Sequence, residues 1–256
     1  MSAFCDLTGL RGLVVGVANE HSIAAAVVRG LHAQGARLVA TCLNEKAKSF
    51  ASPVTEPLGV PLLTCNVAED GSLEATVAQA VGQLGGLDFV VHSIAWAPLE
   101  DLHGRVTDSS REGFEKAMSI SCHSFAELGR LVAPHMSGGG SLITMTYHGA
   151  NEVVPNYGLM GPVKAALESM VRYMAFELGA RGIRVHAISP GPVPTRAASG
   201  LQDFDKLMAE AAKKSPLGRL VSLEEVSALT TFLCSPASSG MTGQTIYVDA
   251  GYNMMA

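Results

Sequence analysis

The sequence holds no Cys-x-x-Cys pair, and its five cysteines (Cys5, Cys42, Cys65, Cys122 and Cys234) are scattered and odd in number. Neither a zinc-site spacing nor a disulfide framework is implied, and no metal centre is expected. There is no basic excess either. Lys and Arg total 18 against 23 Asp and Glu, a formal net charge of −5, which disfavours a nucleic-acid partner. No apolar run is long enough to span a membrane, and Asp6 and Arg11 interrupt any secretory leader. Low-complexity linkers, internal repeats and a Gly-x-Ser-x-Gly elbow are all missing. The expectation is a reduced, cytoplasmic protein.

What is present is a core. Of the 256 residues, 48% are hydrophobic and 16% charged, enough for one large α/β domain over residues 1–256. Short β-rich runs occur at Leu13–Val17, Arg37–Thr41, Pro61–Thr64, Leu87–Ser93, Ser141–Thr146, Arg184–Ser189 and Thr245–Val248. Between them lie helical patterns at Ser22–Gln34, Gly71–Leu84, Arg111–His135, within Tyr157–Ala180, and at Leu223–Cys234. Such alternation predicts a Rossmann-type doubly wound parallel sheet of about seven strands with helices on both faces. Ligands in such sheets bind beyond the carboxyl ends of the strands. One segment breaks the rhythm: Pro190–Pro216 has no strand pattern, and 195–215 reads as a lid over a binding site.

The first strand runs into a turn with a single glycine, Gly16, followed by Ser22-Ile23-Ala24. Gly16 permits close backbone approach, and the helix N-terminus offers free amides to a pyrophosphate. Ser22 can cap that helix and donate to a phosphate. Three later strand ends fit the same ligand. Asn66-Val67 can flank an adenine, Ser93-Ile94-Ala95 lets a cofactor cross the backbone, and Val193 and Thr195 follow the sixth strand where a carboxamide can bind. After the second strand, Cys42-Leu43-Asn44 carries neither Asp nor Arg. NADH is the expected cofactor, with NADPH left open.

Tyr147, Tyr157 and Lys164 follow one another with nine and then six residues between them. A phenol can donate to a developing oxyanion, and an ammonium nearby can lower the phenol's pKa and hold a cofactor sugar. Seven positions are about two helical turns, so Tyr157 and Lys164 could share one face if both are helical. Pro162 between them forces a choice: the helix starts near 159–161, or it is kinked. His92, after a buried-looking strand, reads as structural.

These motifs resemble the bacterial NADH-dependent enoyl-acyl-carrier-protein reductases, a divergent branch of the short-chain dehydrogenases/reductases. The resemblance spans nearly the whole chain. It is carried by Gly16-x5-Ser22-Ile23-Ala24, His92-Ser93-Ile94-Ala95, Tyr147-x9-Tyr157-x6-Lys164, Ala187-Ile188-Ser189-Pro190-Gly191-Pro192 and Ala197-Ala198-Ser199-Gly200. Where most of the superfamily resembles Tyr-x3-Lys, this chain has Gly161. The resemblance implies hydride transfer to the β-carbon of an enoyl thioester, with Tyr157 steadying the thioester oxygen and Lys164 holding the nicotinamide ribose. Tyr147 is implied to line the acyl site. Ala95, Trp96, Met160, Ala197 and Leu201 are implied acyl-chain walls. An acyl-carrier-protein substrate and a homotetramer are implied partners. Val15, Leu43 and Asn66 depart from the family pattern. A short-chain carbonyl reductase, or a catalytically silent dinucleotide-binding subunit, stays open as an alternative.

Overall fold

The computed structural model describes residues 5–193, 195 and 204–255. Seven strands form one sheet: β1 (Arg11–Val15), β2 (Arg37–Cys42), β3 (Leu62–Thr64), β4 (Phe89–His92), β5 (Gly140–Met145), β6 (Ile183–Pro190) and β7 (Gln244–Val248). Their order is β3-β2-β1-β4-β5-β6-β7, and every pairing is parallel. The central strands are buried on both faces, which is why they read as continuous apolar runs without alternation. The chain moves outward one way from β1 and the other way from β4. The crevice between these two strands is therefore the topological switch point, where such sheets bind ligands.

Helices cover both faces. Against one lie α3 (Ser72–Leu84), α5 (Arg111–Met118), α6 (Ser124–Val132) and α7 (Met160–Gly179), around a core that includes Phe125, Leu128, Leu167 and Val171. Against the other lie α1 (Ile23–Ala33), α2 (Glu45–Thr55) and α9 (Leu223–Cys234), around Val27, Leu31, Phe89 and Val226. The short α4 (Leu99–His103) follows β4, and α8 (Phe204–Lys214) lies in the predicted lid. Among the described residues no helix is long and apolar enough to cross a membrane.

Three local outcomes differ from the sequence pattern. Helix α2 has no counterpart among the predicted helices, because Ser and Lys interrupt its periodicity and Pro53 lies inside it. Asn44 nucleates it by accepting from the Ala47 amide. The predicted helix Arg111–His135 is broken by a π-helical turn at Ser119–His123 and ends in a 3₁₀ turn at Ala133–His135 containing Pro134. Finally, α7 begins at Met160, so Pro162 falls in its first turn, where its missing N–H has no intrahelical partner to lose. The first of the two alternatives for Pro162 holds. Tyr157 lies in the loop entering α7, not two turns up the same helix as Lys164.

Candidate active site

Gly16 ends β1 with a φ of +106°, and a Cβ there would lie 2.4 Å from the Ser93 carbonyl oxygen at the end of β4. A glycine alone keeps the switch-point crevice open. Ile94 lies beside it. Across the crevice, Ser22 caps α1, accepting from the Ala25 amide at 3.2 Å. Its own hydrogen goes to the Asn19 carbonyl at 2.8 Å, so the phosphate-donor role read from the sequence requires that bond to open. Ile23 packs with Val193, Val221 and Ala250 in a small cluster, which brings two predicted cofactor residues together from opposite ends of the sequence. The Thr195 amide donates to the Val193 carbonyl at 2.7 Å. Asn66 is held in its loop: its amide donates to Glu69 at 2.7 Å and its oxygen accepts from the Ala68 amide at 3.2 Å. Val67 packs at the edge of the core.

Tyr157 is presented by two departures from ordinary backbone, one on each side. Asn156 before it has φ +64° and Gly158 after it φ +45°. Asn tolerates the left-handed region, and Gly158 also presses on α4, where a Cβ would lie 2.3 Å from the Leu102 carbonyl. The Tyr157 ring meets the Tyr147 ring edge-on, with centroids 4.9 Å apart. The Tyr147 hydroxyl is buried and has no hydrogen-bond partner among the described residues. Lys164 is 4% exposed, and its Nζ donates to the Met145 carbonyl at 2.8 Å, at the end of β5.

The electrostatics of these groups follow from burial. Desolvation brings Lys164 down to about 8, against the opposing influence of Cys122 and Glu168. Desolvation raises Tyr157 well above the ordinary phenol value, with Tyr147 and Glu168 adding to the shift. Tyr157 is half-buried, packed against the core. The sequence suggests an ammonium that lowers the phenol's pKa. Every influence on Tyr157 is instead upward, from burial, Tyr147 and Glu168, and Tyr157 stays a protonated donor. Tyr147 is raised by burial too. His92 is fully buried between Thr144 Oγ1 (3.0 Å) and Ser124 Oγ (2.9 Å) and is lowered to about 3, a neutral structural imidazole as expected.

The Enoyl-(Acyl carrier protein) reductase family model matches residues 16–253. The NADH-dependent enoyl-acyl-carrier-protein reductase 2 of Rhizobium meliloti (strain 1021) is 44% identical over 97% of this chain and 93% of its own length. The chain belongs to the enoyl-acyl-carrier-protein reductase family. Solved structures agree. The reductase of Anaplasma phagocytophilum in complex with NAD superposes with a TM-score of 0.94 at 40% identity, covering 98% of this chain and 96% of that one. The reductase of Bacillus cereus, with NADP+ and an indole naphthyridinone, gives 0.95 at 38% identity, covering 98% and 99%.

Within this reductase fold, the predicted acyl-site residues are distributed unevenly. Trp96 is clamped by its backbone: Ser121 Oγ accepts from its amide at 2.7 Å and donates to its carbonyl at 2.8 Å. Its indole is 38% exposed, with the Lys116 ammonium 5.0 Å from the ring centre. Ala95 beside it is exposed. Met160 is 5% exposed and belongs to the core. Ala197 and Leu201 lie outside the described residues, as does most of 195–203 in the predicted lid.

Several residues that shape the site were not singled out from the sequence. Ser121 comes from the π turn, a local widening that periodicity does not reveal. Asp101 on α4 accepts from the Ser110 amide and hydroxyl, each at 2.9 Å, and its carbonyl receives the Leu159 amide at 3.4 Å. Glu168 is 5% exposed and accepts from Thr146 and Asn151. Its position four residues after Lys164 was the available signal, since i and i+4 share a helix face.

Proposed function

We propose that this chain reduces the trans-2 double bond of enoyl thioesters in fatty-acid elongation, with NADH as the hydride source. The observation that carries this reading is a packed pair of phenols, Tyr147 and Tyr157, 4.9 Å apart and joined in sequence to the buried Lys164, in a chain of this family. The residues present suit a dinucleotide. The Gly16 cradle has no room for a Cβ, α1 offers its N-terminus beside it, and Ile23 and Val193 form an apolar wall. When bound, the nicotinamide supplies the hydride delivered to the β-carbon. Gly16, Ser22, Ile23, Asn66, Val67, Ser93, Ile94, Ala95, Val193, Thr195 and Lys164 are assigned to holding it.

Negative charge then develops on the thioester oxygen. Tyr157, kept protonated by burial, donates a hydrogen bond to that oxygen, where a water-poor site makes the bond worth most, and a proton added at the α-carbon completes the reduction. Lys164 holds positive charge nearby and supplies the donor for the ribose. Tyr147 lines the acyl site with a hydroxyl that no group among the described residues engages. Carriage of the substrate on acyl-carrier protein, a homotetramer, a lid over 195–215 and a cytoplasmic location belong to the same reading. Unpaired thiols at all five cysteines and exposed aromatics on α7 support parts of it. The silent-subunit alternative, motivated by Pro162 and Leu43, loses the first of these, because Pro162 sits in a first turn that tolerates it. Gly161 at the position four after Tyr157 keeps the carbonyl-reductase alternative second.

NADH oxidation with a crotonyl thioester tests the reading. Turnover with the enoyl thioester and none with the matching 3-oxo thioester is the expected result. Well-folded protein that turns over no enoyl thioester with NADH or NADPH overturns it.

A further inference from the structure

We propose that Glu168 is a positioning residue that fixes the turn carrying Tyr147 by holding both ends of it. The proposal rests on the reductase reading above. Glu168 Oε1 accepts from Thr146 Oγ1 at 2.8 Å, and Oε2 accepts from Asn151 Nδ2 at 3.0 Å. Thr146 and Asn151 bracket residues 147–150. Each is also fixed elsewhere in the fold. The Thr146 amide donates to the Ile188 carbonyl of β6 at 2.8 Å, and Asn151 Nδ2 also donates to the Tyr247 hydroxyl of β7 at 3.1 Å. One carboxylate thus joins α7, the end of β5 and the loop that leads back to α7.

The turn needs such a clamp. Among the described residues nothing holds the Tyr147 hydroxyl, and the ring is aimed from its backbone end. Inside the bracket, the Ala150 amide donates to the Tyr147 carbonyl at 2.9 Å and the Asn151 amide to the His148 carbonyl at 3.0 Å. Gly149 lies against the Tyr157 ring so closely that a Cβ would be 2.5 Å from it. A shift of this turn therefore displaces both phenols. Burying a carboxylate is costly unless its acceptors are filled, and here both donors come from the segment it holds.

The charge of Glu168 also reaches the reacting groups. From its own helix it faces Lys164, from the loop before that helix Tyr157, and from β7 Tyr247. Lys164 is faced in addition by Cys122 of the π turn and His92 of β4. Removing the carboxylate's charge makes Lys164 easier to deprotonate.

The test compares wild type with Glu168→Gln, Asn151→Ala and Asp88→Asn. The measurements are steady-state kinetics with NADH and a crotonyl thioester, calorimetric NADH binding, and melting midpoints. Wild-type turnover is read first, since its failure strikes the reductase reading and leaves the clamp aside. Glu168→Gln is expected to lower kcat about tenfold or more, because misplacing reacting groups by about 1 Å costs on the order of a hundredfold. It is also expected to move the alkaline limb of the pH profile to lower pH while NADH affinity holds. Asn151→Ala keeps the charge, so it should lose kcat with the limb in place. Asp88 lies at the opposite end of the sheet, paired with Arg11, and Asp88→Asn should lower the midpoint alone. A Glu168→Gln enzyme that behaves like Asp88→Asn, with wild-type kcat and an unmoved limb, overturns the proposal. Should Glu168→Gln not fold, Thr146→Val and Asn151→Ala decide: reduced kcat in both with NADH bound supports the clamp, and wild-type kcat in both overturns it.

Discussion

At the scale of single residues, the site works through protonation states that burial sets. Burial raises Tyr157 above the ordinary phenol value, so it remains a protonated donor at neutral pH. Tyr157→Phe should therefore lower kcat about 10²–10³-fold, the range for losing one oxyanion donor, with NADH affinity by calorimetry unchanged. Lys164 behaves in the opposite way. Its ammonium is lost as pH rises through about 8, so kcat/KM should be level in this group below that value and fall above it. The stability consequence has the reverse sign. A lysine with an ordinary value of 10.5 that is lowered to about 8 in the fold releases its proton before the unfolded chain does. Its burial penalty is complete below about 8 and is relieved as pH climbs toward 10.5. Lys164→Met should accordingly lower kcat/KM while holding or raising the melting midpoint, measured by steady-state kinetics and calorimetry on one preparation. A variant that loses both together would show that the ammonium stabilises the fold.

At the scale of elements, the strands were the legible part of the sequence and the helix interruptions were not. Helix α2 buries only Ala51, Val54 and Thr55, so its pattern never rose above that of a polar loop. The π turn at Ser119–His123 inserts one residue into a helical rhythm that otherwise continues through 111–132, and a count of apolar spacings passes over it. Yet this turn directs Ser121 to the Trp96 backbone and leads into Ser124, which meets His92. The tyrosine–lysine motif was legible as a spacing, although the helix it suggested starts three residues after Tyr157. Helical geometry does not relate Tyr157 to Lys164. The left-handed pair Asn156 and Gly158 sets the tyrosine, and Pro162 is free to occupy the first turn. Pro162→Ala should therefore change stability by less than about 1 kcal/mol and leave kcat intact; a gain of about 3 kcal/mol would mean the proline strains a helix interior. Gly16→Ala is the opposite case. With φ at +106° and a carbonyl 2.4 Å from the new Cβ, it should lose calorimetric NADH binding and cost about 1–3 kcal/mol of stability.

At the scale of the whole molecule, the sheet order places the reacting groups and α7 connects them to the surface. One face of α7 buries Leu167, Val171 and Met174 in the core and carries Lys164 and Glu168 to the site. Another leaves Tyr173 at 67% and Phe176 at 87% exposed. These two lie three positions apart and so share a stripe on the helix. Scattered exposed apolar residues need no explanation, but an aromatic pair on the helix that also holds Lys164 is suited to a subunit contact, where aromatics concentrate. In the homotetramer proposed above, that stripe packs against another copy and stiffens α7. Tyr173→Glu with Phe176→Glu places two carboxylates on the stripe, and burying them unpaired in an interface is costly. Sedimentation should then show a species smaller than wild type, with helix content retained by circular dichroism. Because α7 supports Lys164 and Glu168, kcat should fall along with the assembly and recover as protein concentration drives subunits together. A double variant that sediments as wild type would place the contact on another face, and a wild-type chain that sediments as a monomer would remove the tetramer itself.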